Sequence, residues 1–411
     1  MAKEKKKVPN LRFKGFTDDW EQRKLGEVAE FYNGDRGPNY PKPSEIVEQG
    51  VPFINAGDLI NGHIDYHNCK HITSDKFNQL NGAKLKINDI VYCLRGTIGK
   101  NGLVNSDANA TIASSLVCIR PVKLRPLFLF QLLNSSIEER QRKMVDEGAA
   151  QPNISATNLK KFLIPVPNDN EQEKIGEVFS KLNHLITLQQ RKLDLLKQFK
   201  KGLLQKMFAD KDSKQPILRF KGFHDDWEQR KLSKVKDVRD GTHDSPKYHE
   251  KGFPLITSKN LTPSGVDFSD ASLIDEHDYQ EINKRSLVEI HDILFGMIGT
   301  IGNPVIVKKS GFAIKNVALI KHGGNLSNYF LLNLLNSPIF AKYINKENAG
   351  GTQKFLSLSI IRNFRFLAPG SDEQNKIGNM FEQVDTFITL QQQKLAKYQS
   401  IKKSLLQQMF I

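Results

Sequence analysis

Apolar residues run along this chain in two rhythms, and each rhythm occurs twice. Short β-rich runs at Val51–Asn55, Asp89–Leu94 and Leu116–Arg120 are bounded by Gly, Asn and Pro, which predicts strands joined by turns. Helical spacing interrupts them over Pro126–Asp146. The same order returns with strands at Phe253–Thr257, Asp292–Phe295 and Val317–Lys321 and a helix at Ser327–Asn345. Each block then gives way to a long stretch without proline. In the first, Ile175, Val178, Leu182 and Leu185 advance by three or four residues, and Leu193, Leu196, Leu203 and Met207 extend the stripe. In the second, the stripe is Ile377, Phe381, Val384, Ile388, Leu395, Tyr398, Leu405 and Met409. Two continuous helices are predicted, each roughly 57 Å long at about 1.5 Å per residue. Stripes of that length must be covered, and each is the other's nearest partner, so an antiparallel coiled coil is expected. Its seam is expected at Leu182, Leu185, Gln189, Leu193, Val384, Ile388, Gln391 and Leu395. The two glutamines interrupt that seam at matching places, where they either fix register or face solvent.

The repetition extends to the letters themselves. Leu11 to Leu25 reads LRFKGFTDDWEQRKL, and Leu218 to Leu232 differs from it only in having His224 where the first copy has Thr17. Downstream, EQ.KIG, ITLQQ.KL and LLQ.MF recur in order over Glu171–Phe208 and Glu373–Phe410. Between these ends the match is looser but collinear: VPFINAGDL with FPLITSKNL, RGTIG with IGTIG, QLLNSS with NLLNSP. A period near 200 residues is that of a domain, not of a solenoid repeat. The expected architecture is mixed α/β, with two similar α/β domains separated by two long helices and an internal pseudo-two-fold. Its expected boundaries are a basic tail at 1–10, a domain at 11–168, a helix segment at 169–210, a second domain at 211–370 and a second helix segment at 371–411. The near-identical ends read as shared scaffold and the divergent centres as different surfaces. Drift in unconstrained centres is the alternative.

Composition narrows the function. Hydrophobic residues at 39% and charged residues at 26% fit a folded chain, and no run approaches the roughly 20 apolar residues of a membrane helix, so a cytoplasmic protein is expected. Cys69, Cys93 and Cys118 are odd in number and form no CxxC pair, which encodes neither a disulfide framework nor a zinc ribbon. His63, His67, Cys69 and His71 stand close together, but the second copy has no counterpart to them, so no metal is expected. The excess of 60 Lys+Arg over 45 Asp+Glu, a net charge of +15, attracts polyanions, nucleic acid first among them. Gly99-Lys100 fails as a P-loop, having Leu94 in place of the first glycine and Asn101 after the lysine. No glycine-rich nucleotide turn, HExxH or duplicated carboxylate pair is present, so no catalytic residue is assigned.

Reading DNA requires cations for phosphates and amides or guanidinium groups for base edges. The variable loops supply both: Arg36, Lys42, Asn55, Arg95, Lys100, Gln151 and Asn153 in the first copy, and His243, Lys247, Tyr248, Lys259, Asn260, Gln353 and Lys354 in the second. The GTIG turns, Gly96–Gly99 and Gly299–Gly302, serve tight backbone geometry or contact phosphate through their N–H groups.

The duplicated F-K-G-F-x-D-D-W-E-Q-R-K-L opening, the EQ.KIG helix starts and the LLQ.MF endings resemble the specificity subunit of type I restriction-modification enzymes. The resemblance covers essentially the whole chain. It implies a non-catalytic subunit whose two target-recognition domains each read half of a split, asymmetric double-stranded DNA sequence, with the helices as ruler. It also implies docking of two modification (methyltransferase) subunits, which bring S-adenosylmethionine, and of restriction subunits, which bring ATP- and Mg-dependent translocation and cleavage. The first helix, with eight Lys/Arg against four Asp/Glu over Glu171–Phe208, faces either the DNA spacer or solvent. An unfamiliar DNA-modifying enzyme and a coiled-coil assembly protein whose α/β domains bind other proteins are the competing classes.

Overall fold

The computed structural model describes residues 8–106, 109–145, 153–210, 213–263, 265–347 and 355–410. The chain divides into two compact units, residues 1–188 with 395–411, and residues 189–394. Each unit therefore owns the start of one long helix and the end of the other.

In unit 1, strands β1 (Glu21–Lys24), β2 (Ala29–Asn33), β3 (Ile46–Val47), β4 (Val51–Ile54), β5 (Lys70–Ile72), β6 (Ile90–Cys93), β7 (Asn101–Leu103), β8 (Thr111–Ile112), β9 (Leu116–Pro121) and β10 (Leu163–Val166) accompany helices α1 (Pro126–Leu132), α2 (Ser136–Val145) and α3 (Asp169–Lys206). Two four-stranded sheets form, in the orders β8-β4-β5-β3 and β2-β9-β6-β7, and only β8·β4 is parallel. Side chains alternate faces along a strand, and β9 is buried on both. Leu116 and Cys118 join Ile54, Val91, Cys93 and Ile112 in one core, which draws on both sheets. Val117 and Ile119 join Tyr92, Phe128, Leu132, Ile175 and Phe179 in a second core beneath the helices. The result is sheet, sheet, helices.

Unit 2 repeats this plan. Its strands are β11 (Glu228–Lys231), β12 (Val238–Asp240), β13 (Phe253–Ile256), β14 (Ser272–Ile274), β15 (Ile293–Gly296), β16 (Gly302–Ile306), β17 (Ala313–Ile314), β18 (Val317–Ile320) and β19 (Arg365–Ala368). Sheets β12-β18-β15-β16 and β14-β13-β17 face helices α4 (Asn328–Leu335) and α5 (Ser371–Gln408). Where one helix is expected over Pro126–Asp146 there are two, and likewise over Ser327–Asn345, where Pro338–Glu347 follows α4. The LLNS words cause the break. Asn134 Nδ2 donates to Phe130 O, Ser135 Oγ donates to Leu132 O and Ile137 N donates to Ser135 Oγ, so side chains take over the backbone's partners and the helix restarts.

The near-identical letters meet one another in space. Arg12 of the opening word grips Glu171 of EQ.KIG through two parallel bonds, 2.7 and 2.8 Å, and Arg219 grips Glu373 at 2.8 and 2.9 Å. Both carboxylates have side chains only 1% exposed. β1 pairs antiparallel with β10 and β11 with β19, immediately before each long helix. The next letter staples the helix start: Gln172 Oε1 accepts from Arg125 N while its Nε2 donates to Pro167 O, and Gln374 does the same with Ser327 N and Pro369 O. The glycine of EQ.KIG permits close helix packing, since a Cβ on Gly176 would stand 2.8 Å from Leu127 Cβ and one on Gly378 2.8 Å from Tyr329 Cβ. The closing phenylalanines are plugs. Phe410 meets Trp20, Phe128 and Phe179 in unit 1, and Phe208 meets Phe330 and Phe381 in unit 2.

Both long helices are 38 residues and unbroken. Within unit 2, Gln391 Nε2 donates to Gln189 O at 3.0 Å and Oε1 at 2.7 Å, and Lys200 Nζ donates to Asp385 at 2.5 Å. As one number rises the other falls, so the helices pair antiparallel. Leu182, Leu193, Val384, Gln391 and Leu395 are buried, and Ile388 and Gln189 are half-buried. Leu185 is not in the seam. It is 39% exposed, because Phe179, Leu182, Ile186 and Gln189 keep the alternating step and carry Leu185 outward.

Lys236 Nζ is buried where its one hydrogen-bond partner among the described residues is Gly323 O, and desolvation pushes the ammonium from an ordinary 10.5 to about 8. Between those values the unfolded chain binds more protons, so the stability of unit 2 rises as pH climbs through the window. Differential scanning calorimetry is expected to show that rise in the wild type and a flatter profile in Lys236→Met. For the clamp, Arg219→Met leaves Glu373 buried without its cation, with only the Trp227 Nε1 donor at 3.3 Å, and should cost unit 2 about 3–5 kcal/mol. Arg230→Met, whose pair with Glu228 is exposed, should cost under about 1 kcal/mol, and denaturant unfolding of both variants measures the difference.

Candidate nucleic-acid interface

Strand ends converge at one edge of unit 1. Ala113 N donates to Ile54 O at 2.8 Å and Leu94 N to Ser115 O at 2.9 Å, which ties together the ends of β4, β6 and β8. Asn55 follows β4 and Arg95 follows β6, so both emerge there. Lys100 Nζ donates to Ala56 O at 2.9 Å, fastening the Gly96–Gly99 turn beside Asn55. Arg36 Nη2 reaches Ser114 O at 3.4 Å. Asn153 pairs with Arg95 through a backbone bridge, and Ile154 N donates to Leu94 O at 3.0 Å. The structure therefore gathers Arg36, Asn55, Arg95, Lys100 and Asn153. Lys42 stands apart: it precedes β3, the opposite edge strand of its sheet, and its N–H donates to Glu45 at 2.7 Å. Gln151 lies outside the described residues.

Unit 2 has the same edge with different side chains. Lys315 N donates to Ile256 O, Thr242 N to Ile314 O and Leu356 N to Met297 O, while Ile298 bridges Phe355. His243 stands 2.8 Å from Asn316 Oδ1 through Nδ1 and 3.0 Å from Asp240 through Nε2. Lys259 is exposed and pairs with Asp270 at 3.2 Å. Asn260 is corrected from a base-reading candidate to a buried structural residue. Its Oδ1 accepts from Thr257 N and Oγ1, and its Nδ2 donates to Asp267 O, which closes the turn after β13 and leaves no edge for a ligand. Lys247 and Tyr248 are exposed near His249, whose N–H pairs with Leu273 on the far edge strand β14. Gln353 and Lys354 lie outside the described residues.

Sequence reading missed Lys315 and Asn316 at this edge. Lys315 Nζ donates to Ser245 Oγ at 2.5 Å, and Asn316 holds φ +55° in the link between β17 and β18. Their signal is a polar pair splitting an apolar run, AIKNVAL, which answers the Ser114-Ser115 pair of unit 1.

The opposite ends of β6 and β15 carry carboxylates instead. Asp89 grips Arg120 at 2.8 and 2.7 Å, a hydrogen bond that raises the guanidinium's pKa. Burial works against ionised Asp292, but Lys321 at 2.6 Å, Glu289 N and His322 hold its carboxyl below the usual range. Glu289, Asp292 and His322 converge, as do Asp275, His277 and Asp278. Lys321 already supplies the cation in the first group. His63, His67, Cys69 and His71 form no such convergence among the described residues.

The family model for the type I restriction modification DNA specificity domain matches residues 17–198 and again 224–399, one match for each copy. The chain belongs to the type I restriction-modification specificity-subunit family. Family membership makes it the non-catalytic, DNA-target-recognising component of such a system. It is 21% identical to the type I restriction enzyme MjaVIII specificity subunit of Methanocaldococcus jannaschii, over 95% of this chain and 91% of that protein. The fold is similar to that of the type I restriction-modification S subunit from M. genitalium, with a TM-score of 0.65 at 16% identity over 98% and 99% of the two chains. A structure of type I restriction-modification complex assembly is also similar, with a TM-score of 0.57 at 15% identity over 94% and 96%. No helix among the described residues of this specificity subunit is long and apolar enough to cross a membrane.

Proposed function

We propose that each α/β unit reads one half of a bipartite, asymmetric double-stranded DNA target, using the edge gathered around Arg95 in unit 1 and around His243 and Asn316 in unit 2. The observation that carries this reading is one frame with two different edges. The Arg–Glu clamp, the glutamine staple and the phenylalanine plug are duplicated, while the side chains offered at the strand ends change from Arg36, Asn55, Arg95 and Lys100 to His243, Lys259, Lys315 and Asn316. Guanidinium, amide and imidazole groups suit base edges, and the ammonium groups suit phosphates. Two copies of one domain within a single chain would let it meet DNA as a dimer does while reading unlike halves.

The paired helices then act as ruler and docking surface. Their outer faces keep apolar residues exposed: Leu185, Leu188 and Ile401 in unit 1, and Leu195, Phe199, Phe387 and Leu390 in unit 2. Large apolar side chains left exposed along both helices are what a protein-docking surface would use. Two modification subunits, carrying S-adenosylmethionine, are the partners proposed for them. Restriction subunits, with ATP and Mg, join through the same assembly.

Footprinting of the chain with its modification subunits on a methylated-site library is expected to give two protected patches at fixed spacing, and exchanging residues 31–165 for another variable domain should change one half of the target. Changes in both halves, or methylation of DNA by the purified chain alone, would overturn the proposal.

A further inference from the structure

Glu138 lies in the core of unit 1, its side chain 5% exposed, with two partners. Tyr92 Oη donates to its Oε1 at 2.5 Å and Arg142 Nε donates to the same oxygen at 2.9 Å. Tyr92 is fully buried, and burial beside this carboxylate pushes its phenol pKa up. Burying such a group stabilises a fold poorly compared with apolar packing. Unit 2 shows that the fold does without it. At the corresponding places on β15 and on the helix after α4 stand Phe295, Phe340 and Ile344, with Phe295 and Phe340 in edge-to-face contact at 5.4 Å. The charged trio of unit 1 therefore has a purpose other than filling the core.

That purpose is visible at the end of the trio. The side chain of Arg142 is 24% exposed, and its guanidinium lies against Gly99, the last residue of the Gly96–Gly99 turn. A Cβ on Gly99 would stand 2.9 Å from Arg142 Nε and 3.3 Å from Nη2, and Gly99 also holds φ +86°. In unit 2, a Cβ on the matching Gly302 would meet nothing within 4 Å. The turn that Arg142 touches at Gly99 is the one flanked by Arg95 and Lys100. Nε is spent on Glu138, whereas neither Nη group makes a hydrogen bond among the described residues. A guanidinium pinned through Nε keeps its plane fixed and leaves an end-on fork of two donors, which matches guanine O6 and N7. Phosphate contact needs no such fixing, and the adjacent carboxylate offsets the charge that would favour it.

We infer that Arg142 is a specificity-determining residue of the first domain, reading a guanine edge, and that Glu138 and Tyr92 are the positioning residues that hold its plane. The inference rests on the proposal that unit 1 reads DNA at this edge. It is tested with the full chain assembled with its modification subunits, first mapping the modified sites of the wild type and then comparing binding to duplexes that vary at each target position. Arg142→Lys should lose about 5- to 150-fold of discrimination at one G·C pair in one half-site and leave the other half unchanged. The triple variant Tyr92→Phe, Glu138→Phe, Arg142→Ile installs the trio of unit 2, so it should stay folded by calorimetry and lose the same discrimination. Glu138→Gln should weaken preference at that same base pair. A wild-type motif that survives unaltered in Arg142→Lys overturns the role of Arg142 alone. So does a uniform loss of affinity across all sequences with a shallower salt dependence, the mark of a phosphate contact. A wild-type assembly with no sequence preference overturns the DNA-reading proposal itself.

Discussion

Two buried ion pairs hold the frame on which everything else is mounted. Arg12 to Glu171 and Arg219 to Glu373 join the first word of each copy to the first turn of its long helix, 159 and 154 residues later in the chain. A bidentate pair fixes direction as well as distance, and with both carboxylates out of water neither partner is dispensable. The strand pairs β1·β10 and β11·β19, the glutamine staples and the close packing at Gly176 and Gly378 lie within a few residues of those carboxylates. The opening word, EQ.KIG and LLQ.MF thus meet in one joint between an α/β domain and a helix start, while ITLQQ.KL supplies the glutamine pair farther along the helices.

This joint explains which residues had freedom to diverge. Beyond it, the sheets need only alternate apolar residues, and the strand ends carry whatever side chains the loops supply. Charge could even enter the core, as Tyr92, Glu138 and Arg142 do in unit 1, where unit 2 packs aromatic and aliphatic groups. One scaffold thus carries two unlike sets of side chains, as the proposed reading of two unlike half-sites requires.

Much of this was legible in the sequence, for physical reasons that differ by element. The strands at Val51, Asp89 and Leu116 were legible because runs buried on both faces are bounded by turn residues. The long helices were legible because an apolar stripe that keeps three- and four-residue steps through 38 residues without a proline fits neither strands nor loops. The break at Asn134-Ser135 was not, since apolar spacing continues across it and only side-chain bonds to the backbone reveal it. The seam phase was legible in the second copy, but Leu185 in the first is an apolar residue one step from Ile186, and hydrophobicity alone does not choose between them. At the candidate site, Arg95, Lys100 and Asn260 looked equally suitable as polar residues of the variable loops; the first two come together at one turn, whereas Asn260 is taken up by its bonds to Thr257 and Asp267. Arg142 carried no local signal at all. Its place over Gly99 depends on contacts among a strand, a turn and a helix.

If the paired helices set the distance between two independently read half-sites, lengthening both by the same amount must move the half-sites apart without changing either. Inserting seven residues after Leu188 and a matching seven after Leu390 keeps the seam in phase, and the methylated target can then be mapped in cells. The helices lengthen by about 10 Å, so the half-sites should stay the same while the spacer between them grows by about three base pairs. An unchanged spacer in a folded, active assembly would contradict the role of the helices as ruler.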